Sequence, residues 1–388
     1  MTEVLKIPAV FVRGGTSRAI LFHSSDLKDF SFDQIDSILL TVLGSPDKGG
    51  RQVDGLGGGF SSLSKAAIIS PSTTPGIDVD FNFAQIDIQT SFVDWSGTCG
   101  NISSAVGPFA INEGLVELTK PVTEVTVMAL NTGKKFVARV PVSDDGPSPA
   151  GDFVIDGVPG TASKITLQFD DPGGTLGKGV LPTNSVVDHI NIPSGAVYRA
   201  SIIDAGIPTI FVLTEDFNYQ MSSVVEELDN DLETKSILEA IRCKVAVMLG
   251  LARDAKTAHT KSQALPKIVL IESKNEYIAR DKQKINCEQI DLRATAISMN
   301  QAHRTYPVSV SMATAVAAHV KGTLVSELVE KITEGELSIG HPNGVMKVGV
   351  DVSENTDGWS VPSVTIFRTS RTIMEGKVIV PISKLMAN

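Results

Sequence analysis

Two stretches of this chain, residues 101–113 and 312–319, are apolar on nearly every side, and small polar residues precede each of them. A helix with no polar face has to be buried all round, so each stretch predicts a helix enclosed by strands. Residues 4–12, 19–23, 65–70, 77–83, 84–92 and 122–130 read as strands in the first half, and 196–200, 209–213 and 267–271 in the second. Residues 81–93 alternate in part, as a sheet with one buried face requires. Residues 31–42 predict an amphipathic helix capped by Ser31, with Ile35, Leu39 and Leu40 on one face. Further helical patterns cover 234–249 and 324–332. The expectation is an α+β fold of two similar domains with a cleft between them, since 388 residues exceed what one core usually serves. The change of domain is expected within the Gly/Pro-rich, charge-poor residues 172–184.

Composition narrows the function. A net charge of −10 with no offsetting basic face argues against a nucleic-acid partner. An aromatic content of 5% disfavours base- or sugar-stacking surfaces. No apolar run approaches the ~20 residues of a membrane span, so no membrane partner is expected. Cys99, Cys243 and Cys287 are too widely spaced for a disulfide framework or a metal cluster, which points to a reducing, cytoplasmic setting. Neither metal-ligand spacing nor a cofactor motif is present, so no metal and no cofactor are expected. What remains is acid/base chemistry on a small anionic molecule.

Several segments carry suitable groups. Arg13-Gly14-Gly15-Thr16-Ser17-Arg18 follows an apolar strand, and its two glycines let successive N–H groups converge. It reads either as an anion nest or as a hairpin turn with surface arginines. The glycine loop from Arg51 to Gly59 leads to Lys65 at the mouth of an apolar strand, and it meets neither the Walker nor the dinucleotide fingerprint. A lysine there either snorkels to the surface or, if desolvated, acts as a base near neutral pH. Cys99 stands at the start of the first apolar helix, where the macrodipole favours thiolate and free N–H groups can hold a carboxylate. The alternative, a small buried thiol, fits poorly with the Gly-Thr and Gly-Asn that flank it. In the second half, His303 and Arg304 precede Ser309, Ser311 and Met312 at the second apolar helix, a place for a second carboxylate.

As a set these motifs resemble the PrpF family. The resemblance rests on Arg13 to Ser17, Gly44-Ser45-Pro46-Asp47, the loop from Gln52 to Gly58, Ser64-Lys65, Cys99-Gly100-Asn101-Ile102 and Gly107-Pro108-Phe109-Ala110-Ile111. It continues through Leu181-Pro182-Thr183, Ile203-Asp204-Ala205-Gly206, Gly340-His341-Pro342-Asn343-Gly344 and Arg368-Thr369-Ser370-Arg371. It implies a fold like diaminopimelate epimerase: two pseudo-symmetric domains, each a curved, mostly antiparallel sheet around a central helix. The domains would span 1–182, completed by 370–388, and 183–369. It further implies Lys65 as the proton-transferring base and Cys99 as its acid or positioning partner. Arg13, Gly15, Thr16, Ser17, Arg18, Gln52, Ser64, Gly100, Asn101, His303, Arg304, Ser309, Ser311 and Met312 would then bind substrate. Two departures stand out. Ser311 or Met312 takes the place of the epimerases' second cysteine, which speaks against a racemase. Ile207 stands where many members carry Asn.

The expected reaction moves or rotates a C=C bond in an unsaturated polycarboxylate by allylic proton transfer, with aconitate as first choice. Methylaconitate or methylitaconate isomerisation, an oxalomesaconate-type tautomerisation and a non-catalytic accessory role are the alternatives. The expected partner is the small polycarboxylate, and a homodimer is left open.

Overall fold

The computed structural model describes residues 3–385 apart from 299, 331, 333, 334 and 357. Two compact units make up the chain: Met1–Leu167 with Phe367–Asn388, and Gln168–Ile366. Both are α+β, built on mostly antiparallel strands with few helices.

In the first unit the Val4–Gly14 strand pairs antiparallel with Ser17–His23 on one side and with Ser370–Pro381 on the other. Ser17–His23 runs parallel to Lys65–Pro71, which pairs antiparallel with Val79–Ile86. The sheet continues through Val122–Ala129 to Lys134–Ser143. Ile7, Ala9, Phe11, Ile20 and Phe22 pack against Ile38, Leu39 and Leu43 of the Phe32–Leu43 helix. Ser31 and Gln34 close a capping box at that helix's start, and left-handed Gly44 ends it. The Gly100–Asn112 helix is buried at every residue from Gly100 to Ile111, which is why its sequence lacks a polar face.

The second unit repeats the motif. Val197–Ala205 and Ile207–Leu213 form a hairpin, and every residue of Ile207–Leu213 is buried. Ile207–Leu213 lies parallel to Lys267–Ser273, and the sheet runs on through Leu292–Ser298, Glu336–His341 and Gly344–Asn355. The Val308–His319 helix is buried from Val308 to Ala318. Among the described residues no helix is long and apolar enough to cross a membrane.

Three local expectations change. Residues 77–83 and 84–92 are not two strands but one, Val79–Ile86, after which the chain turns. Asp87 Oδ1 makes that turn by accepting from the N–H groups of Gln89 (2.8 Å) and Thr90 (2.7 Å). The second buried helix starts at Val308, a full turn before Met312. Its hydroxyls are satisfied internally, Ser311 donating to the Val308 carbonyl and Thr314 to that of Val310, both at 2.8 Å. The helix expected at 324–332 is confined to Leu324–Leu328 and capped by Thr323, and residue 331 of that range lies outside the described residues.

Candidate active site

Lys65 opens its strand and is 8% exposed. Its Nζ donates to Gln85 Oε1 and stands 5.2 Å from the centre of the Phe83 ring. Gln85 is held the right way round because its Nε2 donates to the carbonyls of Ser61 (3.0 Å) and Ser64 (2.9 Å). Residues Gln85 and Lys65 sit directly opposite each other in the strand register. Behind them, buried Gln52 donates to Ser45 Oγ (2.9 Å) and Ser64 Oγ (2.7 Å) and accepts from the Gly59 N–H (3.1 Å). Asp47 in turn accepts from the Gln52 N–H at 2.7 Å. Gln52 and Ser64 thus hold the glycine loop that presents Lys65. Burial pushes the Lys65 ammonium below the ordinary lysine range, and attraction to Cys99 opposes part of that.

Cys99 is partly exposed and occupies the N-cap of the Gly100–Asn112 helix without making a side-chain cap bond. The first N–H groups of a helix have no intrahelical partner, so the thiol stands beside donors and the positive end of the helix dipole. The Thr98 Oγ1 next to it is buried with no hydrogen-bond partner among the described residues. Asn101 ties this helix start to the hairpin above it. Its Oδ1 accepts from the Thr16 N–H (3.4 Å) and from Arg368 Nε (3.1 Å), and its Nδ2 donates to Thr16 Oγ1 (3.2 Å). Gly15, at φ +51°, must lack a side chain, since a Cβ there would fall 2.1 Å from Asn101 Oδ1. Buried Arg368 is lowered to about 10 by desolvation, with Cys99 again opposing the shift. Lys65 and Arg368 are therefore both electrostatically coupled to Cys99.

Of the other expected residues in this unit, Gly100 is buried at the helix start and Ser17 is buried where the hairpin's second strand begins. Arg13 spends Nη1 on the carbonyls of Gly15 (2.9 Å) and Thr369 (3.0 Å). Arg18 lies over the Phe11 ring at 5.4 Å, its Nε buried without a hydrogen-bond partner among the described residues. Gln85, Phe83 and Arg368 lie outside the set of site residues expected from the sequence. Alternation puts Gln85 and Phe83 on one face of their strand, and only its register with the Lys65 strand shows what that face meets.

The second unit gathers less chemistry. His303 Nδ1 is engaged by Thr305, 3.2 Å from its N–H. Arg304 pairs with Glu226 at 3.2 Å, a carboxylate that Arg280 also holds. Ser309, Ser311 and Met312 are buried within the helix. Glu239, Cys243 and His259 bring one potential metal-ligand atom each within 4.8 Å of one another. The group is a poor metal site, because Arg242 already places its permanent charge there, 2.7 Å from Glu239 Oε1. The Cys243 thiol is also pushed up to about 12 by burial and by Glu239, so it stays protonated.

The PrpF protein family matches residues 4–381. A 3-methylitaconate isomerase of Eubacterium barkeri is 38% identical over 388 residues, covering 100% of both chains. A 2-methyl-aconitate isomerase of Cupriavidus necator is 36% identical over 395 residues, covering 98% of this chain and 99% of its own. Among solved structures, a methylitaconate-delta-isomerase superposes with a TM-score of 0.79 at 36% identity, covering 100% of this chain and 98% of that one. The family match and these full-length relatives lead to one conclusion: the chain belongs to the PrpF family and is an isomerase.

Proposed function

We propose that this isomerase shifts or rotates a C=C bond in a small unsaturated di- or tricarboxylate by allylic proton transfer at Lys65. The observation that carries the reading is a lysine buried at a strand start, lowered in pKa and coupled to a cysteine at a helix N-terminus. Neutral Lys65 removes an allylic proton made acidic by conjugation to a carboxylate. The electron pair of that C–H bond spreads as a dienolate, which helix N–H groups and Arg368 stabilise. Lys65, now an ammonium, returns the proton to the far end of the allyl unit, or to the same carbon after rotation. The proton leaves and comes back, so the step balances without oxidant, reductant or cofactor. Cys99 positions the substrate or donates to it. Aconitate is the first choice, with 2-methylaconitate and 3-methylitaconate, named for the relatives' activities, as the alternatives.

The test is to incubate the pure protein in D₂O with cis-aconitate, trans-aconitate, 2-methylaconitate, 3-methylitaconate and oxalomesaconate, following each by proton NMR. Isomerisation of one or more with deuterium uptake at the allylic carbons is the expected result. An inert panel overturns the proposal, and turnover of oxalomesaconate alone selects the tautomerase reading.

A further inference from the structure

We infer that the first unit holds a second anion site, apart from Lys65 and Cys99, in which Arg13 and Arg371 clamp a small carboxylate- or phosphate-bearing ligand. A cavity of about 430 Å³ lies within this unit, and both arginines line it. Its floor is Pro108 and Asn112, toward the C-terminal end of the helix that Cys99 caps at the other end. Arg13 and Arg371 are directly opposite each other in the register of their two strands. Like charges in that position repel, so the arrangement costs stability unless something negative lies between them.

Among the described residues nothing supplies that charge. No acidic side chain lines the cavity, and among the described residues neither arginine has a carboxylate partner. The bonds Arg13 makes are to two neutral carbonyls through Nη1 alone, leaving Nε and Nη2 for a ligand. Burial and the charge of Arg371 both hold Arg13 below the usual guanidinium range. Thr161 and Ser370 add hydroxyls to the lining, while those of Ser148 and Ser163 already donate to the Ala150 carbonyl. Paired guanidiniums with hydroxyls recognise planar carboxylates and phosphates in forked geometry, and the volume suits a small molecule. The lining contains no aromatic side chain, so a stacked nucleobase does not fit the site.

Inorganic phosphate and tricarballylate, a saturated tricarboxylate that cannot undergo allylic transfer, are titrated calorimetrically into the full-length protein and its Lys65→Ala, Arg371→Gln and Arg371→Lys variants. Arg371 is exposed, so its replacement leaves the fold intact, which a thermal melt checks. At least one anion is expected to bind wild type and Lys65→Ala alike, and at least tenfold more weakly to Arg371→Gln, with Arg371→Lys in between. Phosphate binding alone identifies a phosphate ligand, and tricarballylate binding alone a carboxylate. A crystal soaked in selenate should show an anomalous peak between the two guanidiniums. The inference is overturned if neither anion binds, or if Arg371→Gln leaves every measured affinity unchanged.

Discussion

The two buried helices each start beneath a hairpin whose turn carries a glycine of positive φ. Gly15, at +51°, packs on Asn101, and Gly206, at +74°, packs on Ser309 and Met312. Around the first of these starts the chain assembles a buried lysine, a free thiol and a buried arginine. Around the second it places Pro307 as N-cap, followed by buried serines and a thioether. A thioether transfers no proton, and the hydroxyl of Ser311 is spent on the helix's own carbonyl. Under the proposed mechanism the same scaffold carries the proton transfer in one unit and buried packing at the matching helix start of the other. Inverting a stereocentre needs a group on each face, whereas moving a double bond needs one base that takes a proton and gives it back. The imbalance between the two helix starts therefore suits an isomerase of double bonds better than a racemase.

The largest test of this imbalance is loss of the base. Lys65→Ala should lower kcat by about 10³–10⁴-fold, measured on whichever substrate the NMR panel identifies. Arg368→Gln should follow with a loss of about 10²–10³-fold, seen mainly in kcat because the charge it stabilises develops in the transition state. The paired substitutions Gly15→Ala and Gly206→Ala set the two hairpins against each other. Both introduce a Cβ at positive φ, which should cost about 1–2 kcal/mol of stability, read from the melting temperature, and Gly15→Ala should cost more because its Cβ also collides with Asn101 Oδ1. Only Gly15→Ala should also cut activity, by about 10²-fold, because it displaces the Asn101 that aligns Thr16 and Arg368. Equal activity losses in the two would erase the distinction drawn between the units.

The pH profile sharpens the same point. Burial lowers Lys65 from its ordinary 10.5, and the proposed mechanism works through the neutral amine. kcat/KM should therefore rise with pH, with unit slope, and level off below pH 10.5, the limb reporting the lowered pKa of free enzyme. A limb at or above the ordinary value would mean that the base is not the buried lysine. The smallest effect is expected from Met312→Leu, a swap of similar volume in a packed helix, which should cost under about 1.5 kcal/mol and leave kcat in place.

Much of this was legible in the sequence. The two all-apolar segments gave away the buried helices, and Ser31 marked the start of the amphipathic one. Lys65 and Cys99 could be picked out because each sits where a glycine-rich turn meets a regular element. Partners contributed by distant strands were harder to see. Arg368 reaches Asn101 across a separation of 267 residues, and nothing local in its own strand announces that contact. Gln85 reads as an ordinary strand residue until the register sets it opposite Lys65. The second buried helix begins ahead of its apolar run for a different reason. Serines and threonines usually favour caps and turns, but those of the second buried helix satisfy themselves on carbonyls within it.

The central claim is that Lys65 is the base, and isotope exchange tests it without depending on net turnover. Wild-type protein and Lys65→Ala, each verified as folded, are incubated in D₂O with the active substrate, and loss of the allylic C–H signal is followed by proton NMR. Exchange in wild type and its abolition in Lys65→Ala is the predicted result. Exchange retained in Lys65→Ala at a rate near that of wild type would contradict the account.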